Sequence, residues 1–200
     1  MNKIITIGRE FGSGGREFGR RLAEELGIEY YDKEIITAIA EKTSMSQEYV
    51  QEVLEGKPHP LYPITIAQSM FITDNFHVNL EQSIYLAQSE IIRELAQKSS
   101  CVIVGRCADY ILKDLKPHRI FIYADINSRI KRCISRNADT EKQLTEKEIR
   151  KQILTIDKNR AKYYQYYTGN NWGDKNNYDM CINTTDVIIK DIVPIIAKMF

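Results

Sequence analysis

Short apolar runs alternate along the chain with longer stretches in which apolar residues recur every three or four positions. The runs at 3–7, 101–104 and 119–123 predict buried strands, because parallel strands covered on both faces are apolar throughout. Stretches with helical spacing, such as the one that carries Leu22 and Leu26, predict the helices that cover them. The pattern as a whole predicts a three-layer α/β fold, with about five parallel strands and helices on both faces.

Other segments complete this prediction. Runs at 28–31 and 178–183 predict two further strands, and Thr145 begins a capping box that predicts the start of a long helix. Residues 56–79 contain three prolines and no sustained period, so we expect an irregular connection there. The polar stretch 137–144 lies between two predicted helices, and we expect it to form a helical lid with them.

The length and charge of the chain narrow the class of protein. A chain of 200 residues can bury a full core, so we expect one domain over residues 1–200, with a lid region and its flanking helices at 129–160. The net charge of +1 gives no overall bias towards nucleic acid or a membrane surface. No apolar run approaches the length of a bilayer span, which favours a cytoplasmic protein. The oligomeric state stays open.

The turn between the first predicted strand and the first predicted helix is rich in glycine. Gly12, Gly14, Gly15 and Gly19 lie within eight residues. Glycine lets a backbone come close to a polyphosphate, whose charge then meets the positive end of the helix dipole. A tight turn between a strand and a helix would use the same glycines, so the loop alone leaves both interpretations open.

The strict phosphate-loop motif G-x-x-x-x-G-K-[ST] is absent. When Gly14 is taken as the glycine before the lysine, Arg9 stands at the first glycine and Gly15 stands at the lysine. Arg16, which follows directly, is the favoured replacement for the lysine, and Arg20 one turn later is the alternative.

Glu17 occupies the position of the hydroxyl residue that holds magnesium in the strict motif. Its carboxylate would repel phosphate unless a cation lies between them. Glu17 therefore either holds Mg²⁺ or argues against ordinary ATP binding.

Charged residues also follow two later strands and recur on a helix. Asp32 and Arg106 each come at the end of a predicted strand, where ligands of parallel sheets gather. Arg129, Arg132 and Arg136 recur on neighbouring turns of one helix. A solvated helix face is the alternative interpretation of these arginines, and it is favoured most for Arg129.

The chain as a whole resembles the cytidylate kinase-like family, a branch of the P-loop kinases. The resemblance is carried by GREFGSGGR, YYDK and VIVGR, and by D-x-x-R at 157–160 followed by YY, TG, W and Y-D-x-x-I-N-T in the same order. Residues 12–27 look like the phosphate loop and first helix of bacterial cytidylate kinase. These motifs together cover essentially the whole chain.

The resemblance implies a role for each matched residue. Asp32 and Arg106 would line the acceptor pocket, where the forked guanidinium of Arg106 pairs with the acceptor phosphate. Asp157 and Arg160 would close from the lid, and the arginine would stabilise the transferring phosphoryl group or clamp the acceptor. The residues implied in binding ATP and Mg²⁺ are Gly12, Ser13, Gly14, Gly15, Arg16 and Glu17. The residues implied in catalysis are Arg16, Arg132, Arg136, Asp157 and Arg160, with Arg132 and Arg136 facing the donor phosphates.

The implied function is Mg²⁺-dependent transfer of a phosphoryl group from ATP to a small acceptor, with a nucleoside monophosphate such as CMP as the first candidate. Cys107 and Ile153 depart from the family at acceptor-binding positions, where Asp109 and Arg150 are partial replacements. The tyrosines at 163–167 would stack on a base or alternate between core and solvent. A noncatalytic nucleotide-binding or sensing protein, and a kinase of another small metabolite, remain alternatives.

Overall fold

The computed structural model describes residues 2–54, 73–136 and 144–200, with side chains in the fourth helix described from Leu80 onward. The strands are β1 (Ile4–Arg9), β2 (Glu29–Tyr31), β3 (Cys101–Val104), β4 (His118–Tyr123) and β5 (Met180–Asn183). The α-helices are α1 (Gly15–Leu26), α2 (Lys33–Thr43), α3 (Gln47–Leu54), α4 (Thr73–Lys98), α5 (Ala108–Ile111), α6 (Ile126–Arg136), α7 (Glu146–Thr168) and α8 (Ile189–Ala197). Short 3₁₀ turns lie at Lys113–Leu115 and Lys175–Asn177.

The five strands form one parallel sheet in the order β2-β3-β1-β4-β5. β1 lies in the middle, where Ile7 is in register with Val104 on one side and with Ile120 on the other. The carboxyl ends of β1, β3 and β4 therefore meet at one edge of the sheet. The predicted three-layer α/β fold is confirmed.

The core has two main parts, one on each face of the sheet. Ile5 and Ile7 of β1 pack against α1 and α8, whereas Ile4 belongs to the cluster formed with α2, α3 and α4. Side chains alternate between the two faces of a strand, so a strand covered on both faces must be apolar at successive positions. Full burial of each isoleucine contributes about 1.5–3 kcal/mol to stability.

Several boundaries differ from the prediction, and one of them matters for the site. β1 continues to Arg9, because its pairing with β4 extends until Arg9 lies opposite Ile122. Arg9, which the sequence predicts to lie in the loop, is therefore part of the sheet. α4 begins at Thr73, inside the stretch predicted to be irregular.

Residues 55–72 of the predicted irregular connection and residues 137–143 of the predicted lid lie outside the described residues. The helices on either side of the second gap, α6 and α7, pack together through Ile130, Cys133, Ile149 and Ile153. The assignment of residues 129–160 as the lid of a single domain stays a prediction.

The capping box at the start of α7 is present. The Thr145 hydroxyl accepts a hydrogen bond from the backbone N–H of Glu148 at 3.3 Å, and the Glu148 carboxylate accepts one from the backbone N–H of Thr145 at 2.8 Å. In the described part of the chain, no helix is both long enough and apolar enough to cross a membrane.

Candidate active site

Residues 10–14 join β1 to α1 and form an open loop at the carboxyl edge of the sheet. Gly12 and Gly14 have φ angles of 79° and 86°, in the left-handed region that favours glycine. A Cβ added at Gly12 would lie 3.0 Å from the backbone oxygen of Arg129. No side chain among the described residues caps the start of α1, and the first N–H groups of a helix lack partners within it. The loop thus has the geometry of an anion site.

The underside of this loop is held by a buried charge network. Arg129 forms an ion pair with Glu10 at 3.0 Å and another with Asp157, and its Nε donates to the backbone oxygen of Phe11 at 2.8 Å. Asp157 in turn accepts a hydrogen bond from the backbone N–H of Phe11 at 2.8 Å. Arg129 is only 5% exposed, so the alternative interpretation of a solvated helix face does not hold for it.

Burial disfavours the ionised form of both carboxylates of this network, and Arg129 stabilises that form. Burial raises the pKa of Glu10 and of Asp157 above their ordinary values, and the Arg129 guanidinium opposes that shift in each case. Asp157, predicted to act from the lid, therefore already lies against the loop and positions its backbone.

Arg132 also reaches the loop from beneath. Its guanidinium donates hydrogen bonds to the backbone oxygens of Thr184 and Val187, the latter at 3.1 Å. The Thr184 hydroxyl donates to the backbone oxygen of Ser13 at 2.7 Å, and the Ser13 hydroxyl donates to the backbone oxygen of Glu10 at 2.9 Å. In this arrangement Arg132 supports the loop through the segment that follows β5, and its predicted role towards the donor phosphates stays a prediction.

Arg16 and Asp32, predicted for different subsites, form an ion pair. Arg16 Nε lies 2.8 Å from Asp32 Oδ2, and Arg9 Nη2 lies 3.9 Å from Asp32 Oδ1. Asp32 is 3% exposed. Its carboxylate therefore offsets part of the positive charge that the arginines bring to the site.

The carboxylate of Glu17 is engaged by two guanidiniums. Arg21 Nε lies 2.9 Å from it and Arg136 Nη2 lies 3.7 Å from it. This pairing offsets part of the charge that would repel phosphate. The use of Glu17 as a magnesium ligand stays a prediction.

Two adjoining cavities open at this edge of the sheet. The first has a volume of about 150 Å³ and is lined by the glycine loop together with Arg16 and Arg136. The second has a volume of about 40 Å³ and is lined by residues from β1, α3, α5 and α7, from the turn after β3 and from the segment before β5. Arg9 and Arg160 line both cavities.

Among the described residues, the second cavity is lined by three guanidiniums, one carboxylate and several aromatic rings. Besides Arg9, the residues that line it include Arg106, Cys107, Asp109, Arg160, Tyr163, Tyr164, Trp172 and Tyr178. The Tyr164 hydroxyl donates a 2.5 Å hydrogen bond to Asp109, whose pKa is raised by burial. Of the other tyrosines in the predicted run, Tyr167 stacks on Tyr85 at 3.9 Å between ring centroids and Tyr166 is exposed.

Arg106 lies on a strained turn. Gly105, Arg106 and Cys107 have successive φ angles of 74°, 61° and 53°, and the left-handed region is unfavourable for the last two. The buried side chain of Gln88 donates a 3.0 Å hydrogen bond from Nε2 to the backbone oxygen of Arg106. Helix α4 therefore holds the turn that presents Arg106. Arg150, a proposed partial replacement on α7, is exposed and lines neither cavity.

Sequence reasoning did not single out Arg9, Glu10 or Gln88. The signal for Arg9 was its place directly after an apolar run, which is the rule that identified Asp32 and Arg106. Glu10 and Gln88 act through partners far away along the chain, so no local spacing indicates them.

A central parallel strand that leads through a glycine loop into a helix defines a P-loop fold of the three-layer α/β class. Within that class the chain belongs to the cytidylate kinase-like family, whose sequence profile matches residues 4–186. Family membership supports a kinase that uses ATP and, as kinases typically do, Mg²⁺.

Individual relatives agree with this assignment. A cytidylate kinase from Methanopyrus kandleri is 27% identical over 196 residues, which cover 92% of this chain and 86% of that one. The crystal structure of an uncharacterised protein from Eubacterium ventriosum matches with a TM-score of 0.68 and 31% identity, covering 99% of this chain and 98% of that one. A shikimate kinase from Bacteroides thetaiotaomicron has the same fold, with a TM-score of 0.57 and 14% identity over 98% of this chain and 97% of its own.

Proposed function

We propose that the protein transfers the γ-phosphoryl group of ATP to a small acceptor, with a nucleoside monophosphate such as CMP as the first candidate. The observation that carries the proposal is the pair of adjoining cavities that share the guanidiniums of Arg9 and Arg160. A phosphoryl group passing from one cavity to the other would cross the most positive part of the site.

The first cavity suits the phosphates of the donor. The backbone of the glycine loop and the start of α1 supply N–H groups, and Arg16, Arg136 and Arg160 supply positive charge. Mg²⁺, when bound, would neutralise phosphate charge. Since Glu17 is already paired, we propose that the ion is held mainly through the phosphate oxygens of ATP.

The groups that line the second cavity match those of a phosphorylated acceptor with a planar ring. Arg106 would pair with the acceptor phosphate, because a guanidinium binds phosphate in a forked geometry. Tyr163 and Trp172 offer aromatic surface for a base. The Asp109 carboxylate would accept a hydrogen bond from an exocyclic amine or a ribose hydroxyl, since it is the acidic side chain that lines this cavity.

In the proposed reaction an oxygen of the acceptor forms a bond to the γ-phosphorus. The bond from that phosphorus to the bridging oxygen breaks, and ADP leaves with the electron pair. A phosphate acceptor has no proton to lose at neutral pH, so the protein mainly supplies position and positive charge. Arg160, whose Nη1 donates to the backbone oxygen of Arg9 at 3.3 Å, is placed to stabilise charge in the transition state.

One observation favours a noncatalytic nucleotide-binding protein as the second candidate. Gly15 stands at the position of the phosphate-loop lysine, and the nearest replacement, Arg16, is paired with Asp32. On this alternative the protein binds ATP tightly but transfers nothing.

Turnover with a panel of acceptors separates the two candidates. ADP formation is measured with Mg·ATP alone and with CMP, UMP, AMP, GMP or shikimate. We expect ADP above the ATP-only background with at least one nucleoside monophosphate, and we expect Arg160→Ala to lower kcat about 100-fold or more. Arg93→Ala, which removes an exposed arginine of α4, is the control and should leave kcat unchanged. ATP binding without turnover on any acceptor would favour the noncatalytic alternative.

A further inference from the structure

Two glycines at the site leave room for the same side chain. A Cβ added at Gly15 would lie 2.5 Å from Cβ and 2.9 Å from Cγ of Arg9. A Cβ added at Gly105 would lie 1.6 Å from Nη1 and 2.7 Å from Cζ of Arg9. Neither position can carry a side chain while Arg9 keeps this conformation.

The first of these clashes bears on the missing lysine. Gly15 stands where the strict motif has lysine, and its φ is not in the positive region, so its backbone conformation would accept a side chain. The aliphatic stem of Arg9 occupies the space in which a lysine side chain would begin. The loop therefore holds either a lysine at position 15 or an arginine at position 9, but not both.

The guanidinium of Arg9 lies among several other cations and near the Asp32 carboxylate. The Arg9 side chain is 11% exposed, and its nearest acidic partner is Asp32 at 3.9 Å. Its Nε, although buried, has no hydrogen-bond partner among the described residues. Burial lowers the pKa of Arg9 below its ordinary value, and the nearby cations Arg160, Arg106 and Arg16 lower it further. A buried cation surrounded by cations favours a bound anion.

Arg16, the replacement that the sequence favoured, is placed less well. Its side chain is 42% exposed, and its Nε is bound to Asp32 at 2.8 Å. It lines the first cavity but not the second, whereas Arg9 lines both.

We propose that Arg9 is a catalytic residue that takes the place of the phosphate-loop lysine, with its guanidinium contacting the phosphoryl group as it passes from donor to acceptor. This inference rests on the proposed function. In the balanced step above, Arg9 forms no covalent bond and keeps its proton. It stabilises the charge on the phosphoryl oxygens while the bond to the bridging oxygen breaks and the bond to the acceptor oxygen forms.

The sharpest test moves the cation from position 9 to position 15. Arg9→Met keeps most of the stem that packs on Gly15 and removes the charge. We expect it to lower kcat about 100-fold or more, with a smaller change in the KM for ATP. Gly15→Lys alone should be inactive or misfolded, because the lysine meets the Arg9 stem. The double variant Arg9→Gly with Gly15→Lys should regain at least about tenfold in kcat over Arg9→Met, since loss of the Cβ at position 9 gives the lysine space and the lysine supplies the cation.

Matched controls keep the outcomes distinct. Arg93→Ala should retain wild-type kcat, and thermal unfolding should show that Arg9→Met is folded. If Arg9→Met keeps more than about a third of kcat, or if the double variant is no better than Arg9→Met, the role of Arg9 is overturned while the proposed function stands. If the wild type transfers phosphoryl to no acceptor, the proposed transferase function fails instead. In that case the measurement for Arg9 is ATP affinity. Arg9→Met should lower this affinity at least about tenfold if Arg9 contacts the phosphates. An unchanged affinity would overturn that contact.

Discussion

At the scale of single residues, the site depends on which charges are buried together. Arg129 is the clearest case, because it satisfies two buried carboxylates and the Phe11 carbonyl at once. Sequence spacing placed three arginines on one helix but did not distinguish their environments. Arg129 is buried, Arg132 binds backbone oxygens and Arg136 is half-exposed beside Glu17. That distinction depends on partners in β1, α7 and β5, which local spacing does not contain.

Removal of Arg129 should destabilise the fold strongly. Arg129→Ala leaves Glu10 and Asp157 buried without their shared cation, so we expect the free energy of unfolding to fall by about 3–5 kcal/mol in urea titrations. Arg136→Ala, which removes a half-exposed partner of Glu17 at 3.7 Å, should change it by less than about 1 kcal/mol. Equal losses in the two variants would contradict the structural role assigned to Arg129.

At the scale of elements, the second cavity depends on α5 packing against α7. The contact is made by Asp109 and Tyr164, which share a 2.5 Å hydrogen bond. The sequence suggested Asp109 as a partial replacement at an acceptor-binding position, and the tyrosine run as either packing or stacking. The structure gives Tyr164 a packing role with a hydroxyl turned to Asp109, a pairing between two helices that neither segment indicates alone.

The stability of this contact should depend on pH in a defined direction. Burial raises the pKa of Asp109 above its ordinary value of 3.8, so folding favours the protonated carboxyl. The resulting stabilisation is fully present below pH 3.8 and is lost as pH rises through the folded-state pKa.

Comparison with Asp109→Asn isolates this effect, because the wild type and the variant have all their other titrating groups in common. We expect the free energy of unfolding of the wild type, relative to Asp109→Asn, to decrease as pH is raised from 4 to 8 in urea titrations. A difference that stays constant or grows with pH would contradict the buried, raised-pKa carboxyl.

At the scale of the whole molecule, a net charge of +1 conceals a strongly positive region. Arg9, Arg16, Arg106 and Arg160 converge at one edge of the sheet, although they come from different parts of the chain. The alternation of apolar runs and helical stretches was sufficient to predict the sheet and its covering helices. Strand-end positions then predicted Asp32 and Arg106. The length of β1 was not predictable, because it is set by pairing with the distant strand β4, although the strand-end rule also applies to Arg9.

An anion should stabilise the whole molecule by relieving repulsion within this region. Inorganic pyrophosphate at 100 times its dissociation constant should increase the free energy of unfolding by about 2.7 kcal/mol, measured as a rise in the thermal midpoint. Sodium chloride at equal ionic strength should produce a much smaller rise. The increase with pyrophosphate should be reduced in Arg9→Met and retained in Arg93→Ala. Equal responses in those two variants would place the anion elsewhere.

The shared space of Arg9 and Gly15 also limits how such a loop can change during evolution. A lineage that exchanged an arginine on the strand for a lysine on the loop would pass through one of two intermediates. One carries both side chains and cannot pack, and the other carries neither and has lost its central cation. Positions 9 and 15 are thus expected to vary together. Proteins with this loop would then form a lineage that the lysine-based motif does not recognise.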